Sequence, residues 1–180
     1  MSGFARYEPD RHEATSSPWT EHPRVRPARL RDSAVLAEIL TQREGDGDVV
    51  ARGNWFKSLV DRPGKLLLVA ELAGRVVAYG HVAHHGGSEG CPPGWYLVGL
   101  VVSPPFRRHG IGRLLTTRRL EWITQRASEA FYFANENNRA TIDLHADFGF
   151  KELTRDFAFP NVAFHGGRRV LFRVDLNAAL

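Results

Sequence analysis

A chain of 180 residues and 20.2 kDa is the size of one ordinary domain, or of one domain with a tail. Hydrophobic residues make up 43% and charged residues 24%, enough apolar material for a packed core, so wholesale disorder is excluded. One cysteine, Cys91, excludes an intramolecular disulfide and a multi-thiolate metal site, and no bound metal is expected.

No apolar run approaches the ~18 residues of a membrane span. The N-terminus lacks the apolar stretch of a signal peptide, so a cytoplasmic protein without a membrane partner is expected. Net charge is only +4, yet Arg107, Arg108, Arg113, Arg118 and Arg119 fall close together. Such a cluster suits phosphate, whether in nucleic acid, a nucleotide or a phosphorylated cofactor.

Residues 1–23 mix Ser, Thr, charges and three prolines without a hydrophobic period, and read as a flexible tail before a single domain over 24–180. Val25-Arg26-Pro27 is a short extended piece. Asp32 or Ser33 can cap a helix that carries Val35, Leu36, Ile39 and Leu40 at helical spacing. A break over Glu44–Asp48 precedes a second helix over 50–60, which Asp61-Arg62-Pro63-Gly64 ends.

Leu66–Leu72 and Arg75–Ala83 form a hairpin about Ala73-Gly74. After a Gly- and Pro-rich loop over 84–93, Trp95–Val102 is apolar on both faces, the pattern of a central strand. A helix over 112–127 places Ile111, Leu114, Leu115 and Trp122 on one arc, into which Arg118 also falls and can snorkel. Ala130–Ala134 is a short strand. Asn137 or Asn138 caps a helix to Phe148 that Gly149 closes. Strands over 150–159 and 168–174 end the chain. The order is that of a mixed α/β domain without internal repeats.

The chemistry concentrates in Val102-Ser103-Pro104-Pro105-Phe106-Arg107-Arg108-His109-Gly110-Ile111-Gly112-Arg113. A buried strand enters a two-glycine turn, and a helix starts at once. The first N–H groups of a helix lack intrahelical partners and carry the positive end of its dipole. Glycine admits a phosphate close to the backbone. Strand, turn, helix start and arginines describe an anion cradle. It is neither a Walker loop, which needs Gly-Lys-Ser/Thr, nor the dinucleotide fingerprint, whose third Gly is here Leu115.

This segment resembles the acyl-CoA-binding pattern Q/R-x-x-G-x-G/A of the GCN5-related N-acetyltransferase (GNAT) superfamily, with Arg107, Gly110 and Gly112 at the fixed positions. A second stretch, Asn138 to Phe150, is similar to the family's N-x-x-A/S-x-x-L-Y-x-x-x-G-F, with Thr141 at the Ala/Ser place and His145 at the Tyr place. Val25-Arg26-Pro27-Ala28 followed by Asp32 resembles the family's first strand and helix.

The resemblance implies a central mixed sheet with two splayed parallel strands, flanked by helices, and acetyl-CoA as cosubstrate. The splayed strands would be Trp95–Val102 and Ala130–Ala134. Backbone groups of Leu100, Val101 and Val102 would pair with the pantetheine arm. Amides from Arg108, His109, Gly110, Ile111, Gly112 and Arg113, beside Arg107, would hold the pyrophosphate. Asn138 would contact the arm beyond it. His145 would take the place of the tyrosine that protonates the departing thiolate. The exchange matters, because a Tyr of pKa about 10 is fully protonated at neutral pH and a His of about 6.5 is not.

No carboxylate lies in Trp95–Val102, so the general base is open among Glu71, His81, His84, Glu136, a water relay and an amine that loses its proton in solution. The implied reaction is direct attack of a primary amine, of a small molecule, on the thioester, with strand amides stabilising the oxyanion. A CoA-binding sensor without catalysis is the alternative. Nucleic acid is not an expected partner, since no reader motif or aromatic-interleaved basic surface accompanies the arginines. A homodimer is left open.

Overall fold

The computed structural model describes residues 2–3, 21–45, 47–160, 162–164, 166 and 168–177. In chain order the elements are β1 (Ser2–Gly3), β2 (Arg24–Pro27), a 3-10 turn (Leu30–Asp32), α1 (Ser33–Glu44), α2 (Val49–Lys57), β3 (Lys65–Leu72), β4 (Arg75–His85) and β5 (Gly94–Val102). A second 3-10 turn (Pro104–Phe106), α3 (Ile111–Thr124), β6 (Glu129–Asn135), α4 (Arg139–Ala146), β7 (Lys151–Thr154), β8 (Val162–Ala163) and β9 (Arg169–Asp175) follow. This is the expected mixed α/β architecture, a central mixed sheet with helices packed on it. Among the described residues no helix is long and apolar enough to cross a membrane.

The chain divides into two compact units: Asp10–Val82 with Gly99–Arg119, and Met1–Pro9 with Ala83–Val98 and Leu120–Leu180. The first holds the strand order β2-β3-β4-β5. β2 runs antiparallel to β3, with Val25 opposite Ala70. Ala73 (φ 49°) and Gly74 (φ 72°) are both left-handed between β3 and β4, the backbone that a two-residue hairpin requires.

Alternation along β3 divides its side chains between two cores. Leu67 and Val69 pack with Leu36 and Ile39 of α1 and Phe56 of α2; Leu68, Ala70 and Leu72 pack with Ile111 and Leu115 of α3. Helices therefore cover both faces of this part of the sheet, which is why its strands read as nearly continuous apolar runs. Arg26 ties β2 down: Nε donates to Glu71 at 2.7 Å, while Nη1 and Nη2 donate to Asp32 at 2.7 and 3.1 Å. Burial alone would raise the Asp32 carboxyl; the Arg26 guanidinium and the Arg29 N–H hold it below its ordinary range.

In the second unit β5 meets β6 in parallel, with Tyr96 opposite Phe131, and β9 is inserted antiparallel between β6 and β7. Cys91, Tyr96, Phe131, Phe133, Phe157 and Leu171 form its core. Burial raises the Cys91 thiol above its usual pKa. Tyr132 lies on the opposite face of β6 and stacks on Phe172, with ring centroids 4.6 Å apart.

Two expectations need correction. The strand expected over 150–159 ends at Thr154, after a register shift between Glu152 and Thr154. Phe157 and Phe159 instead turn their rings onto Phe133, at centroid distances of 6.3 and 4.5 Å, and Ala158 N–H donates to Glu89 O. The buried arc of α3 is Ile111, Leu115, Thr116, Arg119, Leu120 and Ile123, so Arg119 is inside and Arg118 is exposed. The tail expected over 1–23 lies mostly outside the described residues; Ser2–Gly3 pairs in parallel with Val162–Ala163. Of the connection over 161–167, residues 161, 165 and 167 also lie outside them.

Candidate functional site

The cradle lies wholly within the first unit. Two bonds fix the end of β5: Ser103 N–H donates to Val77 O at 2.9 Å, and Ser103 Oγ donates to Gln42 Oε1 at 2.8 Å. Sequence reasoning passed over Ser103, whose only signal was a small polar residue before two prolines. Pro104–Phe106 then turns the chain, closed by Phe106 N–H to Ser103 O and Arg107 N–H to Pro104 O. Arg107 Nε reaches back to Val102 O at 3.1 Å, so the basic residue of the motif clasps the turn to its strand.

Beyond it the backbone is left-handed at Arg108 (φ 65°) and Gly110 (φ 76°). A Cβ built on Gly110 would have no heavy atom within 4 Å, so that side of the turn faces open space. The first helical bond of α3 is Leu114 N–H to Gly110 O at 2.9 Å. The N–H groups of Ile111 and Gly112 precede it, at the positive end of the helix.

His109 Nδ1 lies 2.6 Å from Arg107 O. A carbonyl only accepts, so Nδ1 carries the proton. Nε2 of the same ring is buried without a hydrogen-bond partner among the described residues. Open space, helix-end N–H groups and flanking arginines fit a bound phosphate.

Leu100 and Val102 pack into the α3-side core, while Val101 is buried on the α1 and α2 side. Gly99, just before them in β5, takes the left-handed φ of 66°.

The second unit holds Asn138 and His145. Asn138 caps α4, its side chain accepting from Thr141 N–H at 3.4 Å. His145, only 2% exposed, ends the same helix. Its ring stacks on Tyr132 (centroids 4.1 Å apart, 20° between planes) and meets Phe150 edge-on at 5.4 Å. Nδ1 is 2.7 Å from Thr141 O, so it carries the proton, and Nε2 is the ring's other proton-handling atom.

The four side-chain candidates for the base are otherwise engaged or poorly suited. Glu71 pairs with Arg26, and Glu136 with Arg155 at 2.8 Å. Burial, then Lys65 and Arg119, push the His81 pKa down to about 3, too weak a base to compete for an ammonium proton. His84 is exposed, with its ring edge-on to Trp95 at 4.9 Å. No group of His, Cys, Asp and Glu that could hold a metal occurs among the described residues.

Fold and cradle together give an α/β protein with the features of an anion site at a helix start. The acetyltransferase (GNAT) family model matches residues 28–150, more than half of the chain. A ribosomal-protein-alanine N-acetyltransferase from Brucella melitensis is 25% identical at a TM-score of 0.66, covering 84% of this chain and 99% of that one. A putative acetyltransferase from Salmonella typhimurium, solved with its cofactor acetyl-CoA, is 20% identical at a TM-score of 0.64, covering 86% and 94%.

In sequence, 50 residues are 46% identical to a probable N-acetyltransferase HLS1-like protein of Arabidopsis thaliana. That stretch is 27% of this chain and only 12% of the plant protein. The chain belongs to the GNAT acetyltransferase family, N-acetyltransferases that use acetyl-CoA.

Proposed function

We propose that this protein transfers the acetyl group of acetyl-CoA to a primary amine of a small molecule by direct attack. The cradle over Arg107–Arg113 carries the reading, with its left-handed glycine, open face and helix-end N–H groups. These residues hold the pyrophosphate. Backbone groups of Leu100, Val101 and Val102 pair with the pantetheine arm, and Asn138 contacts it further along. Acetyl-CoA supplies a thioester carbonyl for the amine and a thiol as leaving group. The chain contributes orientation and amide dipoles for the oxyanion. The imidazolium of His145 gives the sulfur its proton from Nε2, because Nδ1–H stays on Thr141 O.

The test is release of free CoA against a panel of amines, with acetyl-CoA affinity measured in parallel. Release with one amine class and not with water supports the reading; absence of acetyl-CoA binding overturns it. One observation favours a second reading, a CoA-binding sensor without catalysis: each carboxylate or imidazole candidate for the base is ion-paired, exposed or deeply buried. Tight binding of acetyl-CoA without turnover on any amine would select it. An amine that loses its proton in solution needs no base, and turnover then rises with pH along the amine's own titration.

A further inference from the structure

Arg119 heads the fully buried side chains by volume, at 1% exposure. Its donors meet only neutral oxygens: Nε to Leu115 O at 3.3 Å, Nη1 to His81 O at 3.4 Å and Nη2 to Thr116 Oγ1 at 2.9 Å. No carboxylate pairs with it among the described residues, and burial alone pulls its pKa down to about 9. The strand beside it gives up a side chain to seat it. A Cβ on Gly80 would come within 3.0 Å of Arg119 Nε and 3.1 Å of its Cδ. A buried charge without a counter-ion is a poor stabiliser, and an apolar side chain of similar volume commonly does better. Stability does not account for this arginine.

Its position does. Arg119 is on α3, the helix whose start is the cradle, and all the groups just named belong to the same compact unit. Nη2 bonds Thr116 Oγ1, which in turn donates to Gly112 O at 2.9 Å in the first turn of that helix. Helix rise puts residue 119 roughly 12 Å along the axis from residue 111, and a helical side chain leans back towards the N-terminus. The charge therefore lies on the order of 10 Å behind the helix start, with the buried Ile111 and Leu115 on the same side of the helix. At that range, and at an effective dielectric of about 20, one unit charge changes the binding of another by roughly tenfold.

We propose that Arg119 is a positioning residue for the cosubstrate: a fixed buried cation behind the cradle whose counter-ion is the bound pyrophosphate. The inference rests on the cradle reading above. It acts through the field and the Thr116–Gly112 link, without contact between Arg119 and the ligand.

The experiment compares wild type, Arg119→Met and Arg119→Gln in binding acetyl-CoA and S-acetylpantetheine, which carries the same arm and thioester without phosphate. Both variants should bind acetyl-CoA about tenfold more weakly, equivalent to about 1.4 kcal/mol. They should bind S-acetylpantetheine as wild type does and keep the free protein's thermal midpoint or raise it. Equal weakening for both ligands, or unchanged acetyl-CoA affinity in a folded variant, overturns the inference while leaving the cradle reading intact. Failure of both variants to fold assigns Arg119 to structure and overturns it as well. Wild-type protein with no preference for acetyl-CoA over S-acetylpantetheine overturns the cradle reading and this inference together.

Discussion

His81 is an imidazole kept neutral by its surroundings, its pKa pushed down to about 3 by desolvation first and then by Lys65 and Arg119. In the unfolded chain it returns to about 6.5, so between those values the unfolded state binds the extra proton. Stability from this residue is complete above about pH 6.5 and falls as the pH drops towards 3. The full effect is of the order of 5 kcal/mol. His81→Phe should flatten this part of the stability–pH curve, measured by urea denaturation at intervals between about pH 4 and 7; an unchanged slope would mean that His81 takes up its proton alike in the folded and unfolded chain. His145 is a different case, a buried ring stacked on Tyr132. His145→Ala should lower turnover by roughly 10²-fold, the low end for a general acid, with little change in acetyl-CoA affinity. Equal turnover in a folded variant would reduce the residue to packing.

Single elements show where the sequence was legible and where it was not. Turns announce themselves by backbone demand. Ala73-Gly74 and Gly110 were readable because few residue types tolerate left-handed φ, and the structure has them at 49°, 72° and 76°. Asn138 was readable as a cap because its short side chain can reach the Thr141 N–H. Phe157 and Phe159 were misread because alternating aromatics look the same whether they flank a ladder or drop from a loop into a core. Arg118 was placed on the apolar arc where Arg119 is the buried one, because nothing in a helical pattern marks which charge will be buried; only the packing against Gly80 reveals it.

Two predictions belong at this scale. Ala73→Asn suits a left-handed first turn position better than Ala and should stabilise by about 0.5–1 kcal/mol, raising the thermal midpoint by roughly 1–4 °C. Gly110→Asp combines a strained left-handed residue with a negative charge at the helix start. Calorimetry should show loss of acetyl-CoA binding by more than about 10²-fold while the circular dichroism spectrum is retained.

For the molecule as a whole, the composition of residues 1–23 argues that they contribute little to folding, and Ser2–Gly3 offers only a two-residue pairing with Val162–Ala163. A chain beginning at Arg24 should keep its thermal midpoint within about 2 °C and its affinity for acetyl-CoA. A loss above about 2 kcal/mol, the size of one large core contact, would show that the tail is docked. The family and the order of elements were legible because they rest on periodicity and on two spaced motifs. The acceptor was not, because no stretch of the sequence carries a pattern that marks one amine class.

Cys91 is the only cysteine in the sequence, is buried, and has its thiol held towards the protonated form. Disulfide exchange needs an accessible thiolate, so the folded protein should be silent to an aromatic disulfide reagent. Every equivalent of colour during turnover then comes from released CoA, and an unfolded molecule declares itself as one extra equivalent. The chain thus carries its own internal standard: a slow drift to one thiol per protein in the absence of amine times its opening, in the same cuvette that times its catalysis.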